Sequence, residues 1–236
     1  MRKNFTFMSC LFALYFEQEL EHPDRLWKIL SDKLGKFDQT PLILPVPNTP
    51  NLSEVPIVQV VSKNKAFRLN ISRKRVDFFI YGQGKKATYE EIKDLLIRTS
   101  KILVEETQKV ITIKWAGFVR NYFIEDNNPS SLIAGLIDKG FRKFHDGETT
   151  EASIDFITRQ KGLNILINNH TQIQMGSARF LDNSKEIKGL VLSRDFNSKP
   201  TENKAGYINS DFIIKFIQFS EMNSNLDKII SMLFSN

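Results

Sequence analysis

Six cations crowd one short stretch of this sequence. Lys63, Lys65, Arg68, Arg73, Lys74 and Arg75 fall within thirteen residues that contain no acid. On a hairpin they would gather along one edge and its turn, with Asn70 and Ser72 between them. Such a patch can hold phosphates, mainly without sequence preference. A solvated edge that keeps sheets from pairing with one another uses the same residue types, so both readings stand. A second kind of chemistry is suggested by two acid and Glu-x-Lys sets: Asp155 with Glu186-Ile187-Lys188, and Asp77 with Glu91-Ile92-Lys93. Carboxylates and a lysine converging on a metal-bound phosphate would make a metal-dependent nuclease. However, Glu91 stands three residues after Thr88, the spacing of a helix capping box. Asp155 has no supporting acid on a neighbouring element, and Glu-x-Lys arises by chance in a chain rich in both residues.

The remaining reactive side chains give less. His22, His145 and His170 show no metal-ligand spacing. Cys10 sits among Met8, Ser9, Leu11 and Phe12, an apolar setting that suppresses the thiolate rather than activating it. Gly82-Gln83-Gly84-Lys85-Lys86 precedes a helix and offers backbone amides to an anion, but it lacks the spacing and the closing Ser or Thr of a phosphate loop. No cofactor and no metal site follow from these residues.

The elements that must position these residues read as an α+β protein. The chain has 236 residues, 41% apolar and 25% charged, enough for a buried core. Nineteen Phe residues supply much of that core. Net charge is +6 with pI near 9.3, spread as 17 basic and 13 acidic side chains over residues 1–108 and 16 and 14 over 109–236, so neither half is a basic tail. A single cysteine excludes an internal disulfide and fits a reducing cytoplasm. The apolar run Phe5–Phe16 follows Arg2-Lys3 like a signal peptide, but no small-residue cleavage site comes after it. Twelve residues are also too few for a membrane-spanning helix. The run reads instead as a central strand.

A helix is predicted from Pro23 to Gly35, followed by an extended connection carrying Pro41, Pro45, Pro47, Pro50 and Pro56. Strands are expected at Val58–Val61, Phe67–Ser72 and Val76–Tyr81, then an amphipathic helix beyond Thr88. The order then repeats. A long strand Val110–Ile124 leads to a helix after Asn128-Pro129, then to strands Ile154–Thr158, Leu163–Ile167, Thr171–Met175 and Gly189–Ser193. Helical segments Phe212–Phe219 and Leu226–Phe234 close the chain. The expectation is two pseudo-duplicated β-α-β-β-β-α halves, 1–108 and 109–236, with mixed, mainly antiparallel sheets flanked by helices. A joined sheet is favoured because Phe5–Phe16 and Val110–Ile124 both read as interior strands covered on two faces.

The stretch Ile113-Lys114-Trp115-Ala116-Gly117-Phe118-Val119-Arg120-Asn121-Tyr122 resembles the central strand of a sporadically distributed family of bacterial proteins of unknown function. The strand Gly189–Asp195 and the ending with Met222-Asn223, Leu226-Asp227-Lys228 and Leu233-Phe234 are similar to that family too. The resemblance implies no activity and no site residues. Its scattered occurrence implies an accessory role linked to defence or mobile elements. The functional expectation is a non-enzymatic interaction protein with a protein partner, away from membranes. The alternatives are a nucleic-acid-binding protein using residues 63–75 and a metal-dependent nuclease.

Overall fold

The computed structural model describes residues 5–35, 40–84, 86–136, 151–180, 183–198 and 208–234. Nine strands form one sheet: β1 (Thr6–Phe16), β2 (Leu42–Ile43), β3 (Val58–Val61), β4 (Phe67–Ile71), β5 (Arg75–Tyr81), β6 (Ile113–Glu125), β7 (Ser153–Gly162), β8 (Ile165–Phe180) and β9 (Asn183–Asn197). Among the described residues five α-helices accompany them, α1 (Pro23–Leu34), α2 (Glu90–Gln108), α3 (Pro129–Leu136), α4 (Ser210–Met222) and α5 (Leu226–Phe234), with one 3-10 turn at Pro50–Leu52. The protein is α+β, and its strand order is β2-β3-β4-β5-β1-β6-β9-β8-β7. Every neighbouring pair is antiparallel. Read outward from the β1–β6 seam, both sides run in the same way: β1, β5, β4, β3 on one and β6, β9, β8, β7 on the other.

Side chains alternate across a strand, so register assigns each residue to a face. Cys10 pairs with Ile80 and Arg120, Phe12 with Phe78 and Phe118, and Leu14 with Val76 and Ala116. These residues share one face and a single hydrophobic cluster with Leu26 and Leu30 of α1, Leu96 and Leu103 of α2, Ile133 of α3, Phe216 of α4 and Ile229 of α5. All five helices therefore lie on that face. Interior strands covered on both faces were expected, and here the structure differs. Among the described residues, no helix covers the opposite face.

Local chemistry explains the boundaries. Pro23 opens α1, and Gly35 ends it in the left-handed region at φ 54°. Glu91 accepts the Thr88 amide at 3.3 Å, half of the anticipated capping box. Strands expected separately at Leu163–Ile167 and Thr171–Met175 belong to one hairpin. Leu163 and Asn164, both at positive φ (55° and 63°), make its two-residue turn, after which β8 runs unbroken from Ile165 to Phe180.

Two arginines hold the helix layer in place. Arg120 and Arg194 stand opposite each other across β6 and β9 on the covered face, 2% and 3% exposed. Arg120 Nη2 donates to the Ser220 carbonyl at 2.6 Å, and Arg194 Nη2 donates to the Asn223 carbonyl at 3.0 Å. Both guanidinium groups thus meet the carbonyl end of α4, where acceptors lack intrahelical donors and the helix dipole is negative. Burial, with the neighbouring Arg120 charge, lowers the Arg194 pKa to about 10, so Arg194 keeps its proton at neutral pH.

Close approach of β9 to β6 depends on Gly189. A Cβ there would sit 2.0 Å from the Ile124 carbonyl oxygen and 2.6 Å from the Phe123 ring. At Gly117 the nearest atoms are at 3.6 Å, ordinary contact. Urea unfolding should therefore find Gly189→Ala destabilised by roughly 2–4 kcal/mol and Gly117→Ala changed by less than about 1 kcal/mol. Equal effects at the two positions would contradict this packing.

Candidate binding face

The uncovered face is built from the positions that alternate with the core. Its central cross-strand row runs Arg68, Phe79, Leu11, Val119, Asp195 and His170. The row beside it, Tyr81, Ser9, Asn121, Ser193 and Gln172, is polar and carries no formal charge. On the other side lie Asn70, Asp77, Ala13, Gly117, Asn197 and Asn168. The face thus has an apolar centre between bands of amide and hydroxyl groups. Side chains lying along the sheet shield one another: Tyr15 and Trp115 stack at 3.4 Å between ring centroids, with their planes 11° apart. Phe79 and Tyr81 stack at 6.2 Å, and the Arg68 guanidinium lies 4.2 Å from the Phe79 centroid. Lateral packing of this kind covers much of apolar β1 and β6 on the face that no described helix covers.

The basic run is not brought together. The turn between β3 and β4 holds Lys63 and Lys65, and the turn between β4 and β5 holds Arg73 and Lys74. These turns lie at opposite ends of β4, whose five residues span roughly 17 Å. The far group is already engaged. Arg73 donates to the carbonyls of Val46 and Pro47, both at 3.1 Å, and so ties down the proline-rich connection. Lys74 lies 4.0 Å from Glu19. Arg75 contacts Asp77 at 3.0 Å and Glu54 at 3.2 Å, and it donates to the Tyr15 hydroxyl at 3.2 Å. Arg73, Lys74 and Arg75 therefore do structural work.

Lys65 and Arg68 belong instead to a cleft of about 470 Å³ at the other end of the face, together with Met8, Tyr81, Arg179 and Phe180. Arg179 and Phe180 were not singled out from the sequence. They arrive because the end of the β8–β9 hairpin turns over the uncovered face, where Phe180 packs edge-on against Phe123 with ring centroids 5.8 Å apart.

Neither acid and Glu-x-Lys set assembles. Asp155 lies opposite Gln172, which lies opposite Ser193 on β9, whereas Glu186 is seven residues further along, roughly 20 Å away. The Asp155 carboxylate contacts His170 Nε2 at 2.6 Å, and Glu186 accepts from the Ser177 hydroxyl. Asp77 faces the uncovered side, while Glu91 and Lys93 ride on α2 behind the sheet. Among the described residues no three His, Cys, Asp or Glu side chains gather as metal ligands. Cys10 is fully buried, and burial pushes its thiol up to about 12, which leaves it unreactive. His145 and Lys85 lie outside the described residues. Among those described, no helix is long and apolar enough to cross a membrane.

Comparison with protein-family models and with curated proteins returned no match.

Asp77, 3% exposed, gives the face a pH signature. Burial pushes its carboxyl up to about 6 from an ordinary 3.8, against the pull of Arg75. Because the folded-state pKa is raised, the native protein takes up this proton before the unfolded chain does, and stability falls as pH rises from about 4 to 6. Asp77→Asn removes this dependence. Urea unfolding at pH 4 and pH 7 should show the variant gaining on the wild type by about 1–3 kcal/mol between the two values. A pH-independent difference would refute the shift.

Proposed function

We propose that the chain is a non-enzymatic binding protein and that the uncovered face of its sheet receives a protein partner. One observation carries this reading: the sheet is covered by helices on one side, and its other side presents Phe79, Leu11 and Val119 in one row beside stacked Tyr15 and Trp115. Tyr, Trp and Arg are the residues that dominate binding energy at interfaces, and an apolar centre ringed by polar groups is the usual interface anatomy. Amides and hydroxyls of Ser9, Asn121, Ser193 and Gln172 supply both donors and acceptors to a partner. A single buried cysteine accords with work in the reducing cytoplasm.

Nucleic-acid binding is kept as a second reading, favoured by one specific feature. Lys65 and Arg68 meet Arg179 in a cleft with aromatic walls. Arg73, Lys74 and Arg75 support that reading less, since each already contacts an acceptor or carboxylate of the fold.

Immobilised wild-type protein in lysate of its own host should retain one protein in stoichiometric amount after nuclease treatment. Leu11→Lys with Val119→Lys should abolish that retention by placing two charges in the apolar row, while Met232→Lys, exposed on α5 behind the sheet, should not. Thermal unfolding within about 5 °C of wild type would certify that the variants fold. Capture that survives the double substitution would overturn the assignment of the face. Capture lost on nuclease treatment would transfer it to nucleic acid.

A further inference from the structure

The cleft at the corner of the uncovered face has features that a protein interface does not require. Its lining includes three cationic side chains, Lys65, Arg68 and Arg179, and no Asp or Glu. Asp77, which lies opposite the Arg68 neighbour Asn70, directs one carboxylate oxygen to Arg75 at 3.0 Å and feels the Arg68 charge more weakly. Arg68 is fixed rather than waving in solvent: its guanidinium lies over Phe79 at 4.2 Å and near Tyr81 at 5.8 Å. Its Nε is buried without a hydrogen-bond partner. That Nε has no accessible surface, so an anionic guest would meet the terminal Nη atoms of a guanidinium whose carbon is fixed over two rings.

Two interruptions of the sheet build the cleft. In β1, Phe7 pairs with Tyr122 and Ser9 with Asn121, so Met8 is an extra residue, a β-bulge. Between the pairs Ala178–Ile187 and Phe180–Asn183, β9 carries three residues against the single Arg179 of β8, so Arg179 lies opposite a bulge of β9. Met8 and Arg179 both line the cleft. Bulges re-aim side chains and concentrate at functional sites, and here the bulged Met8 and Arg179, which faces the β9 bulge, meet at one cavity. Gly82 completes the floor. Its N–H donates to the Met8 carbonyl at 2.7 Å, and a Cβ would meet the Phe7 carbonyl oxygen at 2.3 Å. Only glycine lets the end of β5 close against the β1 bulge in this way.

We propose that this cleft binds a nucleotide, with the base between the Tyr81 and Phe180 side of the pocket and Met8, and the phosphate on Arg68, Arg179 and Lys65. A volume of about 470 Å³ falls in the range of small-ligand sites. Aromatic walls take a base by stacking, and three cations without a carboxylate take a phosphate. The same chemistry is offered by a free nucleotide and by the phosphorylated end of a single strand. This inference deepens the second reading above and is independent of whether the centre of the face holds a protein.

Titration calorimetry on the full chain with AMP, adenosine, inorganic phosphate and a 5′-phosphorylated single-stranded oligonucleotide tests it. AMP should bind at least about tenfold tighter than adenosine or phosphate, because only AMP uses both halves of the cleft. Tighter binding of the oligonucleotide would identify a strand end as the ligand, and equal binding a free nucleotide. Arg68→Ala and, separately, the more exposed Arg179→Ala should each weaken AMP by about tenfold or more, and raised salt should weaken it further. Arg73→Ala should leave AMP binding unchanged. Leu11→Lys with Val119→Lys should leave it within about threefold, which separates failure of this site from failure of the protein-binding face. No AMP binding by wild type at about 1 mM, or equal binding by wild type and both arginine variants, would overturn the proposal.

Discussion

Two guanidinium groups buried side by side need acceptors, and the carbonyl end of α4 supplies them. Arg120 and Arg194 come from adjacent central strands and reach Ser220 and Asn223 from the same face of the sheet. A buried charge without a partner is expensive, so the last turn of α4 is held against that face. From that point α4 packs against α2, and Tyr89 at the start of α2 donates to Glu221 at 2.7 Å, while Lys93 meets the same carboxylate at 2.8 Å. The helix layer is thereby locked to one side. Among the described residues the helices lie on one side of the nine-stranded antiparallel sheet, which leaves the second face to be packed by its own side chains.

What shapes the second face is lateral rather than vertical packing. Tyr15 covers Trp115, Arg68 covers Phe79, and Arg75 bridges Asp77, Glu54 and Tyr15. Each side chain is held by neighbours on adjoining strands, so binding at this face, as proposed, would carry a reduced ordering cost. Asp77 shows the cost of this arrangement: a carboxylate is buried beside its arginine, and its proton affinity rises in consequence. The polar bands flanking the apolar centre keep the face wettable in the absence of a ligand.

The element order was largely legible in the sequence because each element carries a local signal. Pro23 and Gly35 bracket α1, Thr88 and Glu91 announce α2, and the uncharged aromatic run marks β1. The single-faced covering was not legible. A strand such as CLFALYF reads as buried on both sides, and nothing local shows that Leu11 and Tyr15 will lean on Phe79 and Trp115 instead of on a helix. The turn at Leu163-Asn164 was also missed, because neither residue is the glycine that positive φ usually demands. At the binding face the basic run was visible but its division was not: hairpin geometry sends alternate turns to opposite ends. Arg179 and Phe180 lie more than a hundred residues from Lys65 and Arg68, and only the bend of the β8–β9 hairpin joins them.

The central claim is that the face bearing Leu11, Tyr15, Phe79, Trp115 and Val119 is open in the isolated chain and closed in its complex. Hydroxyl-radical footprinting of the isolated chain and of the purified complex tests this most directly. The account requires these five side chains to be labelled in the isolated protein and protected in the complex, with Phe12, Phe78 and Phe118 unlabelled in both. Absence of labelling at Leu11, Trp115 and Val119 in the isolated chain, or equal labelling in the complex, would contradict it.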